Sequence, residues 1–145
     1  MRDRVEVMHG VNLDQIGRRD AGHYGGRTFT HLEFDIDELA SELGLRVRFF
    51  QSNHEGEFVE HLHSLEDVAD GLIINPGAWT HYSYAIRDAL EIAALPSIEV
   101  HLSDVAGREE WRRHSVISDL CLQTISGMGQ DGYREALERL RDEFA

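Results

Sequence analysis

Lysine is absent from this chain, and all 14 of its basic residues are arginine. Without a side-chain amine there is no Schiff base with a carbonyl substrate, no lysine-held pyridoxal phosphate and no P-loop lysine. Any group that binds an anion or compensates developing charge must be an arginine, a histidine, a backbone N–H or a helix N-terminus. Cysteine is nearly absent too. Cys121 stands alone, which excludes an internal disulfide and a cysteine-based zinc site and makes a cytoplasmic location the expectation. Proline occurs twice in 145 residues and 41% of the chain is hydrophobic, a composition unlike that of a disordered or low-complexity chain. No apolar run approaches the roughly 20 residues of a membrane span. The charged opening MRDRVEV has no apolar core of a secretory signal. Positive charge is scarce, with 27 acidic residues against 14 basic ones and a net charge near −13, so broad electrostatic binding to nucleic acid or to an anionic membrane is not expected.

What is present is a regular alternation, read as a single domain over residues 1–145. Five short apolar runs predict strands: Val5 to Met8, Leu45 to Phe50, Gly71 to Ile74, Ser97 to His101, and Leu120 to Ser126. Helical spacing lies between them. Thr28 can cap a helix carrying Leu32, Ile36, Leu39, Ala40 and Leu43, stopped by Gly44. Phe58, Leu62 and Leu65 mark a second helix. Ala85, Ile86, Ala89, Leu90 and Ala93 mark a third, stopped near Pro96, and Gly132 to Phe144 form the last. This βα order predicts an α/β fold, a doubly wound five-stranded parallel sheet with helices on both faces. In such a sheet ligands bind at the carboxyl ends of the strands.

Polar, titratable residues gather at that edge. After the first strand come His9, Gly10, Val11 and Asn12, then Arg18, Arg19 and Tyr24; after the third come Asn75, Pro76, Gly77 and His81. The fourth carries Glu99 and His101, followed by Ser103, Arg108, Arg112 and Arg113. Glu99 and His101 are two apart on a strand and so share a face. A carboxylate there can orient the imidazole for general acid or base work; the alternative is the solvated face of an edge strand. Asn75-Pro76-Gly77 is a turn signal that also presents an amide near His81. An arginine beside Tyr24 would favour a phenolate usable as a base, although loops often carry both residue types. Arg108 and Arg112, four apart, would align on one face of a short solvated helix. His61 and His63 do not share a helical face and make a poor metal pair. No Gly-x-Gly-x-x-Gly follows the first strand, which disfavours a dinucleotide site.

With these residues in view, the chain resembles the type II 3-dehydroquinate dehydratases from about Val5 to Phe144. The family's first signature, N-G-P-N-x-N-x-x-G-x-R-E-P-x-x-Y-G, appears as the segment from His9-Gly10-Val11-Asn12 through Arg19-Asp20-Ala21 to Tyr24-Gly25. Gln51 to Gly56, Asn75 to His81 with Ala85 to Ala89, and Glu99 to Ser103 with Arg108 to Arg112 match three further signatures, in order.

The resemblance implies a flavodoxin-like fold, assembly into a dodecamer built from trimers, and reversible dehydration of 3-dehydroquinate to 3-dehydroshikimate with no metal or organic cofactor. The pathway would be aromatic biosynthesis through shikimate, or quinate catabolism. By position, Tyr24 takes the proton at C2 as a phenolate that Arg19 stabilises, and Asn12 holds a water against the enolate oxygen. His101, oriented by Glu99, protonates the departing C1 hydroxyl. The N–H groups of Leu102 and Ser103, with Asn75, hold the carboxylate end, while His81 and Arg112 hold ring hydroxyls. Asp88 reaches a neighbouring subunit's site. His9, Val11, Asp14, Asp20 and Ala21 depart from the family's Asn, Pro, Asn, Glu and Pro. Alanine and Gly22 in place of a proline enlarge the loop's conformational freedom. These departures keep open a non-catalytic or substrate-shifted paralogue that binds quinate-like hydroxy acids.

Overall fold

The computed structural model describes residues 1–24 and 26–145. Gly25, the last residue of the first signature, lies outside the described residues. Strands β1 (Arg4–His9), β2 (Arg46–Gln51), β3 (Gly71–Asn75), β4 (Ser97–His101) and β5 (Gln123–Ser126) form one parallel sheet in the order β2-β1-β3-β4-β5. This is the flavodoxin-like order, whose switch point lies between β1 and β3. The helices are α1 (Ala21–Tyr24), α2 (Phe29–Glu42), α3 (Glu55–His63), α4 (Tyr84–Ala93) and α5 (Asp131–Phe144).

Strand alternation divides the core in two. Val5 and Val7, with Ile73, Ile98, Val100 and Ile125, face α2 and α5; Met8, Leu72 and Ile74 face α3 and α4. The central strands β3 and β4 are buried along their whole length, as strands covered on both faces must be. Two helix starts are capped as the sequence suggests or allows. The Thr28 hydroxyl accepts the His31 N–H at 3.2 Å, and the Ser83 hydroxyl accepts that of Ile86 at 3.1 Å. None of the helices among the described residues is long and apolar enough to cross a membrane.

Three expectations fail at element ends, each for a local reason. The second helix stops at His63, and Leu65 is buried in the turn beyond it. β5 begins at Gln123 rather than Leu120 because Ser118–Leu120 is a 3-10 turn. The Ser115 hydroxyl accepts the N–H groups of Ile117 and Ser118, both at 3.2 Å, and that local bonding competes with strand pairing. Arg108 and Arg112 do not share a helix. Val105–Gly107 and Glu110–Arg113 are separate 3-10 turns, and Arg108 lies extended between them at φ −104. Gly107, a poor helix former, ends the first turn.

One polar residue sits inside the α2/α5 layer. His9 is wholly buried, its ring edge-on to Phe29 at 5.1 Å and near Tyr133 at 5.7 Å. Burial pushes its pKa down to about 3, because a charged imidazole loses hydration there. An unfolded chain carries His9 near its ordinary value of 6.5. Between these values the unfolded state binds the extra proton, so stability falls as pH drops through this window. The His9 contribution is a slope of at most about 1.4 kcal/mol per pH unit. Urea denaturation in steps between about pH 7 and about pH 5 should show it, and His9→Gln should flatten the profile.

Candidate active site

The site begins where β1 and β3 leave the sheet. The Gly10 N–H donates to the Asn75 carbonyl at 2.8 Å. A Cβ on Gly10 would lie 2.2 Å from the Pro76 carbonyl oxygen, and one on Gly77, where φ is +68, would lie 2.6 Å from that of Val11. Only glycine permits two loops this close. The next residue on the β1 side, Asn12, is itself left-handed at φ 69, a conformation that persists only where surroundings impose it. Those surroundings come from the end of β2. The Asn12 N–H donates to Asn53 Oδ1 at 2.7 Å, the Asn53 amide donates to the Asp14 carboxylate at 3.3 Å, and Gln51 Nε2 donates to the Gly10 carbonyl at 3.2 Å.

Above these loops lies a cavity of about 110 Å³, small beside the roughly 300–1,000 Å³ of sites for drug-sized ligands. Asn12, Arg19, Tyr24, Asn75, His81, His101, Leu102, Ser103 and Arg112 line it, so nine of the eleven residues expected from sequence meet in one place. Glu99 stands behind His101 and is fully buried. Asp88 is exposed on α4 and does not line the cavity of its own chain.

Arg108 also lines the cavity, and the sequence reading left it out of the site. Its Nη1 donates to the Tyr24 hydroxyl oxygen at 2.7 Å and to Ser103 Oγ at 3.3 Å. The Arg19 guanidinium carbon lies 4.2 Å from the Tyr24 ring centroid, and that of Arg108 5.5 Å. Negative charge on this phenol oxygen therefore meets a donor and two cations. Asp20 and Ala21, where the family has Glu and Pro, start the helix that carries Tyr24. Asp20 Oδ1 accepts the Gly22 N–H at 2.8 Å and its carbonyl accepts that of Tyr24 at 3.0 Å, so the aspartate acts as the cap.

The imidazole side is built on β4, which lies inside the sheet, so the solvated-edge alternative for Glu99 and His101 does not apply. Glu99 Oε2 bonds His101 Nε2 at 2.5 Å and accepts Thr80 Oγ1 at 2.6 Å. Ser115 Oγ donates to both carboxylate oxygens at 2.9 and 3.0 Å, and Thr124 Oγ1 to Oε1 at 3.3 Å. Burial pushes the Glu99 pKa up, but the hydrogen bond and charge of His101 and the hydroxyls of Thr80 and Ser115 outweigh it and leave it below the ordinary value. The carboxylate thus stays ionised beneath the imidazole, whose Nδ1 is left for an incoming group.

His81 donates from Nδ1 to the His114 carbonyl at 2.7 Å, which leaves Nε2 as an acceptor. Burial lowers its pKa, with the charges of His101 and Arg112 adding to the effect and the His114 carbonyl opposing it. Arg112 pairs with Glu109 and lies 4.1 Å from the Trp111 ring centroid. The Leu102 carbonyl is held by the Gly129 N–H at 3.3 Å and that of Ser103 by Gly127 at 3.0 Å. Because N–H and C=O point oppositely in one trans peptide, the Ser103 N–H points away from the β5 side.

Three arginines in one small cavity reverse the sign of the chain's overall charge locally, which suits a compact acid. A buried carboxylate that loses its partners is costly, and so are partners left without it. Glu99→Ala should lower the unfolding free energy by about 3 kcal/mol. Ser115→Ala, which removes one donor of several, should lower it by about 1 kcal/mol. Urea denaturation at neutral pH measures both.

The model of the family described as Dehydroquinase class II matches residues 3–141. The chain is 53% identical over 138 residues to the 3-dehydroquinate dehydratase of Thermotoga neapolitana, covering 95% of this chain and 94% of that one. It is 45% identical over 137 residues to the enzyme of the same name from Bacillus pumilus, covering 94% and 93%. The crystal structure of type II dehydroquinase from Propionibacterium acnes superimposes with a TM-score of 0.92 at 41% identity, over 98% of each chain. A match that spans nearly the whole chain in both sequence and structure makes this protein a member of the class II dehydroquinase family.

Proposed function

We propose that the protein is a 3-dehydroquinate dehydratase that removes water from 3-dehydroquinate to give 3-dehydroshikimate, a step of the shikimate pathway. The observation that carries this reading is the coexistence, in one cavity, of a phenol bonded to Arg108 at 2.7 Å and an imidazole held by Glu99 at 2.5 Å.

Breaking a C–H bond beside a ketone requires a base and compensation for the enolate that forms. Tyr24, ionised, takes the proton from C2, with Arg108 and Arg19 as the cations beside it. The enolate oxygen is stabilised through a water held by Asn12. Expelling the C1 hydroxyl as water requires an acid, and His101 supplies that proton while Glu99 carries the balancing charge. The electron pair of the broken C–H bond first rests in the enolate; when the enolate collapses, the C3 carbonyl re-forms and the pair becomes the C1=C2 double bond as the C1–O bond breaks, an anti elimination overall. Asn75 and the N–H groups of Leu102 and Ser103 hold the carboxylate, and His81 and Arg112 hold the ring hydroxyls. All of these side chains are present, so a non-catalytic paralogue is not favoured.

The working form is a homo-oligomer, a dodecamer built from trimers, in which Asp88 on the exposed side of α4 completes a neighbour's site; the compartment is the cytoplasm. These charged chains repel one another, so assembly weakens at low salt.

The conjugated enone of the product absorbs in the ultraviolet, and its appearance from 3-dehydroquinate tests the reaction. No rise at high enzyme concentration would sink the proposal. Tyr24→Phe should lower kcat by about a thousandfold, within the range of general acid–base effects. Borohydride with substrate, and chelators, should both leave activity intact, since the chemistry runs on the chain's own groups and no imine can form on a side chain.

Light scattering should give a mass of about twelve chains under assay conditions. Asp88→Ala should weaken activity without removing any group from its own chain's cavity. A monomer of 16.5 kDa with full activity would contradict the assembly.

A further inference from the structure

The buried Glu99 carboxylate joins two segments of the site that are distant in sequence. Thr80, itself only 1% exposed, directly precedes His81. Its hydroxyl meets Glu99 Oε2 at 2.6 Å, the same oxygen that His101 Nε2 meets at 2.5 Å. Ser115 directly follows His114, whose carbonyl holds His81 Nδ1. The Thr80 carbonyl accepts the Val116 N–H at 2.7 Å, which ties the two segments together. The reaction as derived above uses the imidazoles and the carboxylate, and gives no part to the hydroxyls around it.

The hydrogen positions follow from the partners. A hydroxyl has one hydrogen and two acceptor positions. Ser115 Oγ fills both acceptor positions with the N–H groups of Ile117 and Ser118. Its own hydrogen therefore points at the carboxylate, and it cannot accept one from Thr80 Oγ1, 3.2 Å away. The Thr80 hydrogen goes to Glu99 Oε2. His101 and Thr80 then occupy Oε2, while Ser115 and Thr124 occupy Oε1, which fills the roughly four acceptor positions of a carboxylate. The one proton left for Glu99 to exchange is the hydrogen it shares with His101. Each hydroxyl aimed at a carboxylate favours its charged form, and Thr80 acts on the oxygen that competes for the shared hydrogen.

We infer that Thr80 is a positioning residue for His101: its hydroxyl weakens Glu99 Oε2 as a proton acceptor, which keeps the shared hydrogen on the imidazole and makes His101 readier to give its Nδ1 proton to the departing hydroxyl. The inference rests on the dehydratase reading only in taking 3-dehydroquinate as the source of that hydroxyl. Without the Thr80 hydroxyl the Glu99–His101 pair is more basic as a unit, whichever partner then holds the hydrogen. The other groups facing the pair stay in place. His81 lies 6.5 Å from His101, ring to ring. Arg19, Arg108, Arg112 and the Tyr24 phenol line the cavity on its open side. Burial, with the charges of Glu99 and Asp119, pushes the Cys121 thiol up to about 12, so it stays neutral.

The test compares Thr80→Val, which keeps the shape and loses the hydroxyl, with Thr80→Ser, which keeps the hydroxyl. Turnover needs the pair protonated, so kcat falls as pH rises through the pair's titration. Thr80→Val should move this alkaline limb up by about half a pH unit to one unit. It should also lower the kcat plateau by about threefold to tenfold, with KM for 3-dehydroquinate within about threefold of the parent. Thr80→Ser should hold the limb within about 0.2 unit of the parent's. A purely structural Thr80 predicts a raised KM through a displaced His81 and an unmoved limb, and that result overturns the inference. So does a Thr80→Ser limb shifted as far as that of Thr80→Val. Independently of turnover, the His101 ring nitrogens, identified by their loss in His101→Asn, should titrate about half a unit or more higher in Thr80→Val than in the parent. Ser115→Ala should move them the same way, so the test survives a Thr80→Val that does not fold. Midpoints equal to the parent's overturn the inference. A parent protein that fails to turn over 3-dehydroquinate would sink the dehydratase reading, while the nitrogen titration would still decide the role of Thr80.

Discussion

The carboxyl ends of β1 and β3 approach so closely that neither Gly10 nor Gly77 has room for a Cβ, and the site is built outward from that contact. The parallel pairing of His9 with Asn75 sets the register. The Gly10 to Asn75 hydrogen bond then ties the first loop to the third. Asn12 is forced left-handed just beyond, and Asn53 from the end of β2 holds it there. A flavodoxin-like sheet always leaves a crevice at this switch point. Here the crevice is narrowed until it fits only a compact molecule.

Charge is distributed against the average. The chain is strongly acidic, yet the cavity collects Arg19, Arg108 and Arg112. The acidic group nearest the chemistry, Glu99, is not free to repel an anion. It is buried and enclosed by His101, Thr80, Ser115 and Thr124. Its role is spent inward, on the imidazole. Arginine in place of lysine also matters at Tyr24, since a planar guanidinium can lie against the ring while another donates to the oxygen.

Much of this was legible before any fold was known. The five strands, the helices between them and the capping by Thr28 follow from apolar period and hydroxyl placement. The position rule for parallel sheets gathered eight of the nine expected cavity residues from their places after strands, and Leu102 came from the family resemblance alone. What escaped notice did so for definite reasons. Arg108 looked like one charge among several in a solvated helix, because four-residue spacing reads as helical. In the structure Arg108 lies extended between two 3-10 turns and reaches the Tyr24 hydroxyl. Leu120 read as strand because it is apolar, whereas Ser115 diverts the backbone into a turn. Asn53 and Thr80 lie in segments that match family signatures, but their roles and that of Ser115 carry no signal of their own, since a lone asparagine or hydroxyl has no periodicity.

The sequence by itself determined the class of fold, the edge of the sheet where chemistry gathers, and the exclusion of side-chain imine chemistry, because composition, apolar period and strand order are local or one-dimensional properties. Only the tertiary structure decided which arginine reaches Tyr24, which hydroxyls enclose Glu99, and that His9 meets Tyr133. These contacts join residues 84, 16 to 25, and 124 positions apart. No periodicity in the chain encodes them; they follow from the close packing of strands and helices around two buried layers.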